Sequence, residues 1–163
     1  MSRVAALSAV LIMLAGSALA GTVQDENKAK VQKFFDQVVN GGDLAATGEY
    51  IAADFVEHDP FPGLGTDRAS VQKFFAMMRD AFPDLKFDIH FMVAEGDKVT
   101  TYATVSGTQK KEFAGVPSSG KKFNVPCIDI IRITDGKAVE HWGVLDGMAM
   151  MEQLGAMPAP GAK

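Results

Sequence analysis

The stretch from Cys127 to Asp146, CIDIIRITDGKAVEHWGVLD, alternates apolar and polar residues on both sides of Thr134-Asp135-Gly136. Period-two patterning around an Asp-Gly turn marks an antiparallel hairpin. Read as a three-residue loop with Gly136 left-handed, a type I turn with a bulge, the hairpin pairs Ile133 with Lys137. In that register Ile131 faces Val139, Asp129 faces His141 and Cys127 faces Gly143, all on one face of the sheet. The rest of that face is apolar, so an Asp and a His are expected to meet in a mostly dry setting. A carboxylate there orients the imidazole and raises its basicity, as a general acid or base requires. Asp129 and His141 are therefore the candidate catalytic pair. A two-residue Asp135-Gly136 turn would instead set Asp129 against Trp142 and His141 against Ile130, and the pair would separate. A buried, satisfied pair with no substrate is the bland reading of the same two residues.

Upstream of the hairpin the same period continues. Lys86 to Ala94, Lys98 to Lys110 and Lys121 to Thr134 read as strands before the last one, Lys137 to Leu145, separated by Glu95-Gly96-Asp97, the Gly115 to Gly120 loop and the DG turn. Earlier still the period becomes helical. Val31, Phe34, Phe35 and Val38 form one helical face that stops at Asn40-Gly41-Gly42, and Asp43 can cap a second helix through Ile51. Phe55 to His58 is extended, and Asp59-Pro60-Phe61-Pro62-Gly63 must be loop. Thr66 or Asp67 caps a third helix carrying Val71, Phe74, Phe75 and Met78, which ends at Phe82-Pro83. Met148 to Leu154 is a short final helix. Three helices followed by a four-strand antiparallel meander form an α+β pattern, with helices over one face of a curved sheet and room for an apolar pocket between them.

The first residues stand outside this scheme. Arg3 precedes an apolar run that ends in Ala18-Leu19-Ala20, a small-x-small pattern, so residues 1–20 read as a secretory signal peptide cleaved after Ala20. Cleavage leaves a domain over 21–157, a flexible tail over 158–163 and no membrane anchor. The 163-residue chain has 16 basic and 20 acidic residues; without the leader it has 143 residues and a net charge of −5. With no basic run, nucleic acid is not an expected partner. The single cysteine, Cys127, precludes an internal disulfide, and its apolar setting suits an inert buried thiol. There is no Gly-rich phosphate loop and no GxSxG, which argues against nucleotide and acyl-enzyme chemistry.

Three further residues are candidates for ligand binding. His58 sits where an extended segment opens into the loop, Trp142 could reach a cavity if the strand bends near Gly143, and Asp146 lies at the strand's end, although capping the last helix is its plainer role. His90 is placed on the outer face by alternation. His58, His141 and Asp129 could be drawn as a two-His, one-carboxylate metal site, but no HxH or HxxxH spacing supports one, so no metal or other cofactor is expected.

AFPDL (Ala81 to Leu85), AEGDKV (Ala94 to Val99), SGT (Ser106 to Thr108), EFAGVPSSGKK (Glu112 to Lys122), the hairpin from Ile128 to Asp146, and QLG (Gln153 to Gly155) give the chain a resemblance to the SnoaL-like, polyketide cyclase-like branch of the nuclear transport factor 2-like superfamily. The likeness spans Val31 to Gly155. The resemblance implies an NTF2-like cone of curved antiparallel sheet with three N-terminal helices enclosing an apolar pocket. It also implies aldol ring closure without metal or cofactor, using an acidic residue on the last strand. That residue falls at Gly143, where relatives commonly read HWD and this chain reads HWG, and the cyclases' histidine on the preceding strand falls at Asp129. The expectation is an exported pocket protein acting by acid/base chemistry on a small hydrophobic carbonyl compound, or alternatively a non-catalytic small-molecule binding or scavenging domain. A homodimer through the outer sheet face is a further expectation.

Overall fold

The computed structural model describes residue 21 and residues 23–157. The leader and the tail read from the sequence lie outside the described residues. Helix α1 covers residues 23–34 and widens into a π-helical turn, Phe35–Asn40. The Asn40 side chain locks that turn to the sheet, donating to Phe87 O at 2.9 Å and accepting from Phe87 N at 2.8 Å. A 3-10 turn, Leu44–Ala46, is capped by Asp43 and leads into α2, Thr47–Tyr50. Strand β1 is Ile51–Glu57, α3 is Arg68–Ala81, and β2 to β5 are Lys86–Glu95, Lys98–Thr108, Lys122–Thr134 and Lys137–Leu145. Helix α4, Gly147–Leu154, closes the domain.

The sheet differs from the expected four-strand antiparallel meander. It has five strands in the order β1-β5-β4-β3-β2, and β1 runs parallel to β5. Ile51 opens this strand and does not end a helix. The physical reason is an open edge: the meander leaves β5 with unpaired backbone groups, and the extended segment after α2 satisfies some of them. Through this pairing Glu57 becomes the register partner of His141.

The hairpin register is also corrected. The turn is the two-residue form, Asp135 and Gly136 both having positive φ (52° and 73°), with Thr134 opposite Lys137. Such a turn matches the right-handed twist of the strands. The ladder then shifts: Ile133 pairs with Ala138 but Arg132 pairs with Glu140, so Val139 is an extra residue in β5. A bulge of one residue reverses the alternation, and the two-residue turn had already reversed it. Asp129 and His141 consequently share the inner face, but as diagonal neighbours. Asp129 stands opposite Gly143, His141 opposite Ile131, and Cys127 opposite Leu145.

The helices cover the inner face. Phe35 and Val39, Phe75 and Met78 from α3, and Met150 and Leu154 from α4 pack on the inward residues of β2 to β4, among them Val99, Val105, Phe123 and Ile131. On the outer face Phe91, Tyr102, Ile128 and Val144 are successive cross-strand partners in one row. His90 is the extra residue of a bulge in β2, exposed, with Nε2 2.6 Å from Thr104 Oγ1.

Candidate functional site

A cavity of about 370 Å³ lies between the helices and the inner sheet face. Its walls are mostly aromatic and aliphatic, Phe34, Phe61, Phe74 and Phe113 among them, and its polar residues are Lys30, Tyr50 and Ser70 together with the polar wall formed by Glu57, Asp59, Asp129 and His141. An apolar cavity with a few convergent polar groups is the usual form of a small-molecule site.

His141 lies between two carboxylates. Its Nδ1 is 2.7 Å from Glu57 Oε2 and its Nε2 is 3.2 Å from Asp129 Oδ1. Asp129 is 6% exposed, and its Oδ2 accepts the hydroxyl of fully buried Thr101 at 2.8 Å. The Cys127 thiol also points at this carboxylate, 3.5 Å from Oδ1. Burial disfavours a charged imidazole at His141, but the hydrogen bonds to Asp129 and Glu57, with their charges, outweigh it and hold the pKa up to about 9. Near neutral pH His141 is then an imidazolium donating from both nitrogens, without a lone pair to accept a proton. Burial, and next the Asp129 charge, push the Cys127 thiol far up, so it is no nucleophile here.

Gly143 makes room for this arrangement. A Cβ at this position would come within 2.7 Å of His141 Cε1 and 3.4 Å of Asp129 Oδ1. The space that an acidic side chain at position 143 would enter is therefore taken by the imidazole, and the carboxylate comes from the opposing strand.

The three expected ligand-binding residues do not line the cavity. Trp142 and His58 each follow an inward residue in a strand pairing, so alternation turns them to the outer face. There their rings stack with centroids 4.4 Å apart and planes 2° apart, and His58 Nε2 lies 3.2 Å from Glu140 Oε2. Asp146 is the N-cap of α4, accepting from Ala149 N at 2.9 Å. Among the described residues no group of three or more His, Cys, Asp or Glu is arranged to hold a metal.

Glu57, Asp59 and Thr101 were not singled out in the sequence. Phe55 and Glu57 share an alternation, and Phe55 is buried. That signal points Glu57 inward once β1 is placed beside β5. Asp59 reaches the wall from the following loop, where its Oδ2 accepts from Gly143 N at 3.2 Å.

Comparison with known proteins agrees with this architecture. TsrD from Streptomyces laurentii is 27% identical with a TM-score of 0.75, covering 82% of this chain and 98% of its own. IdmH from Streptomyces antibioticus, a candidate polyketide cyclase, is 32% identical with a TM-score of 0.70, covering 79% of this chain and 98% of its own. AclR from Streptomyces galilaeus, a candidate hydroxylase, is 29% identical with a TM-score of 0.74, covering 83% and 99%. No curated protein matches the chain. Residues 29–154 match the SnoaL-like polyketide cyclase description, and the chain belongs to that family.

Proposed function

We propose that the cavity binds a small hydrophobic carbonyl compound and moves a proton at the carbon beside the carbonyl, without a cofactor. The observation that carries this reading is the bracketing of His141 by Asp129 and Glu57 on the polar wall of an otherwise apolar cavity. Because His141 holds its proton to about pH 9, it is not the base. Asp129 takes the proton from carbon. The adjacent imidazolium offsets the charge that develops on the ligand, and Glu57 keeps the imidazolium in place. A positioned carboxylate base of this kind contributes roughly 10² to 10⁴ in rate. The likeness to IdmH supports a carbonyl ligand, whereas the likeness to AclR is a reminder that one fold serves several chemistries.

A specific observation favours a second reading, binding without turnover. Asp129 already accepts from Thr101 and contacts Cys127 and His141, which leaves it few free lone pairs. One experiment separates the two readings. Bicyclic aryl ketones that bind the purified protein are incubated in D₂O, and loss of their α-proton signal is followed by NMR. Exchange above the buffer rate with the wild type, abolished by Asp129→Asn, is the result for proton transfer. Ketone binding with no exchange assigns the cavity to ligand binding alone. Export belongs to the same proposal and rests on the sequence of residues 1–20; N-terminal sequencing of the secreted chain checks cleavage after Ala20.

A further inference from the structure

Asn40 is the one asparagine of the chain that precedes a glycine; Asn27 precedes Lys28 and Asn124 precedes Val125. An asparagine before glycine loses its side-chain amide most readily, because glycine has no Cβ to keep its nitrogen away from the neighbouring side chain. The fold sets this labile pair at the end of the π-helical turn and employs both polar atoms of the Asn40 side chain. Nδ2 donates to Phe87 O at 2.9 Å, and Oδ1 accepts from Phe87 N at 2.8 Å. The nitrogen that would attack is engaged as well, Gly41 N donating to Asp36 O at 2.9 Å. Arg79 on α3 fastens the same turn, its Nη1 donating to Val39 O at 2.8 Å and to Asn40 O at 3.2 Å.

This clasp joins two walls of the cavity. Phe35 in the turn and Phe87 on β2 both line it, with ring centroids 5.6 Å apart. Gly41 is exposed and Asn40 half-buried, so water reaches the pair once the turn opens.

We infer that Asn40 is a site of spontaneous deamidation, protected by its two bonds to Phe87 and converted when the π-helical turn opens locally. In the open turn Gly41 N gives up its proton and bonds to Asn40 Cγ. The Cγ–Nδ2 bond breaks, and the amide nitrogen leaves as ammonia with that proton. Water then opens the cyclic imide, its hydroxyl going to one carbonyl carbon and its hydrogen to the imide nitrogen, which leaves aspartate or isoaspartate at position 40. An aspartate has no N–H for Phe87 O and sets an oxygen against it. An isoaspartate also lengthens the main chain by one carbon at the last residue of the turn. Either product breaks the clasp between α1 and β2, and the release of ammonia makes the loss permanent. The rate is governed by how often the turn opens, well short of global unfolding.

The test is peptide mass spectrometry of the purified whole protein aged at mildly alkaline pH, with and without urea. The mass gain of an amide-to-acid exchange is expected at Asn40, with Asn27 and Asn124 as controls in the same chain, and roughly 10-fold or more slower in the folded protein than in urea. Arg79→Met removes two ties on the turn, so it speeds conversion of the folded protein several-fold and leaves the rate in urea unchanged. The converted protein, separated by anion exchange through its added negative charge, loses amide-exchange protection at Phe87 and across residues 35–40, and Asn40→Asp reproduces that loss. No gain at Asn40 in the folded protein, equal rates with and without urea, a folded rate unchanged in Arg79→Met, or a converted protein with Phe87 still protected would each overturn the inference. No ketone enters these measurements, so they stand apart from α-proton exchange by Asp129.

Discussion

Gly143 stands opposite Asp129 in the β4–β5 ladder, and the imidazole of His141 lies over it, so that a Cβ at position 143 would come 2.7 Å from His141 Cε1. Real Cβ atoms do not approach that closely, and the clash is with a ring held on both sides. The absence of a side chain at position 143 is therefore what admits the ring between its two carboxylates.

Gly143→Ala is expected to force the ring off Asp129 and destabilise the fold by about 1–3 kcal/mol, the usual cost of overpacking. Thermal unfolding measures the loss. α-Proton exchange should fall with it, while Val144→Ala, at an exposed position on the same strand, leaves both near the wild-type values.

Stability should decline on the alkaline side of neutrality. The pKa of His141 is raised from 6.5 to about 9 in the folded chain. Its contribution is fully present below about pH 6.5 and is lost as pH rises through about 9, with a size of order 3 kcal/mol. Urea unfolding at pH 6 and at pH 10 checks the sign. Glu57→Gln should flatten the difference.

Thr101→Val should cost about 1–3 kcal/mol, because the methyl group fills the volume but leaves a buried carboxylate oxygen without its hydroxyl donor. Thr101→Ser keeps that donor and should recover most of the loss. Chemical denaturation of the two variants separates the hydrogen bond from packing.

Cys127 should resist alkylation in the folded protein at pH 8 and react promptly once the chain is unfolded, as followed by mass spectrometry. Burial and the charge of Asp129 keep the thiol protonated. Asp129→Asn removes the second cause and should speed labelling of the folded chain.

Much of this was legible in the sequence, because strand and helix periods depend on local residues. The four meander strands appear close to their expected bounds, and α3 is capped by Asp67 as its sequence suggests. The inward placement of Asp129 and His141 followed from alternation, although the register that suggested it was different. A bulged three-residue loop and a two-residue turn with a bulge at Val139 shift the strand by the same parity, so face survives where pairing does not. Phe55 to His58 was read as extended, but its parallel pairing with β5 was missed because a non-local pairing leaves little mark on its own sequence, and the role of Glu57 was missed with it. Trp142 was expected at the cavity from a bend near Gly143 and His58 from its place where an extended segment opens into the loop; the ladder runs past Gly143 without a shift, so Trp142 stays on the outer face, and His58 joins it there.

The assignment of roles in the site depends on the charge of His141. It is tested most directly by following the His141 Cε1–H resonance against pH by NMR, assigned with His141→Asn. The account predicts a midpoint of about 9 that moves toward the ordinary histidine value in Asp129→Asn and in Glu57→Gln. A midpoint near 6.5 in the wild type, unmoved by either substitution, would contradict it and return the role of base to a neutral imidazole.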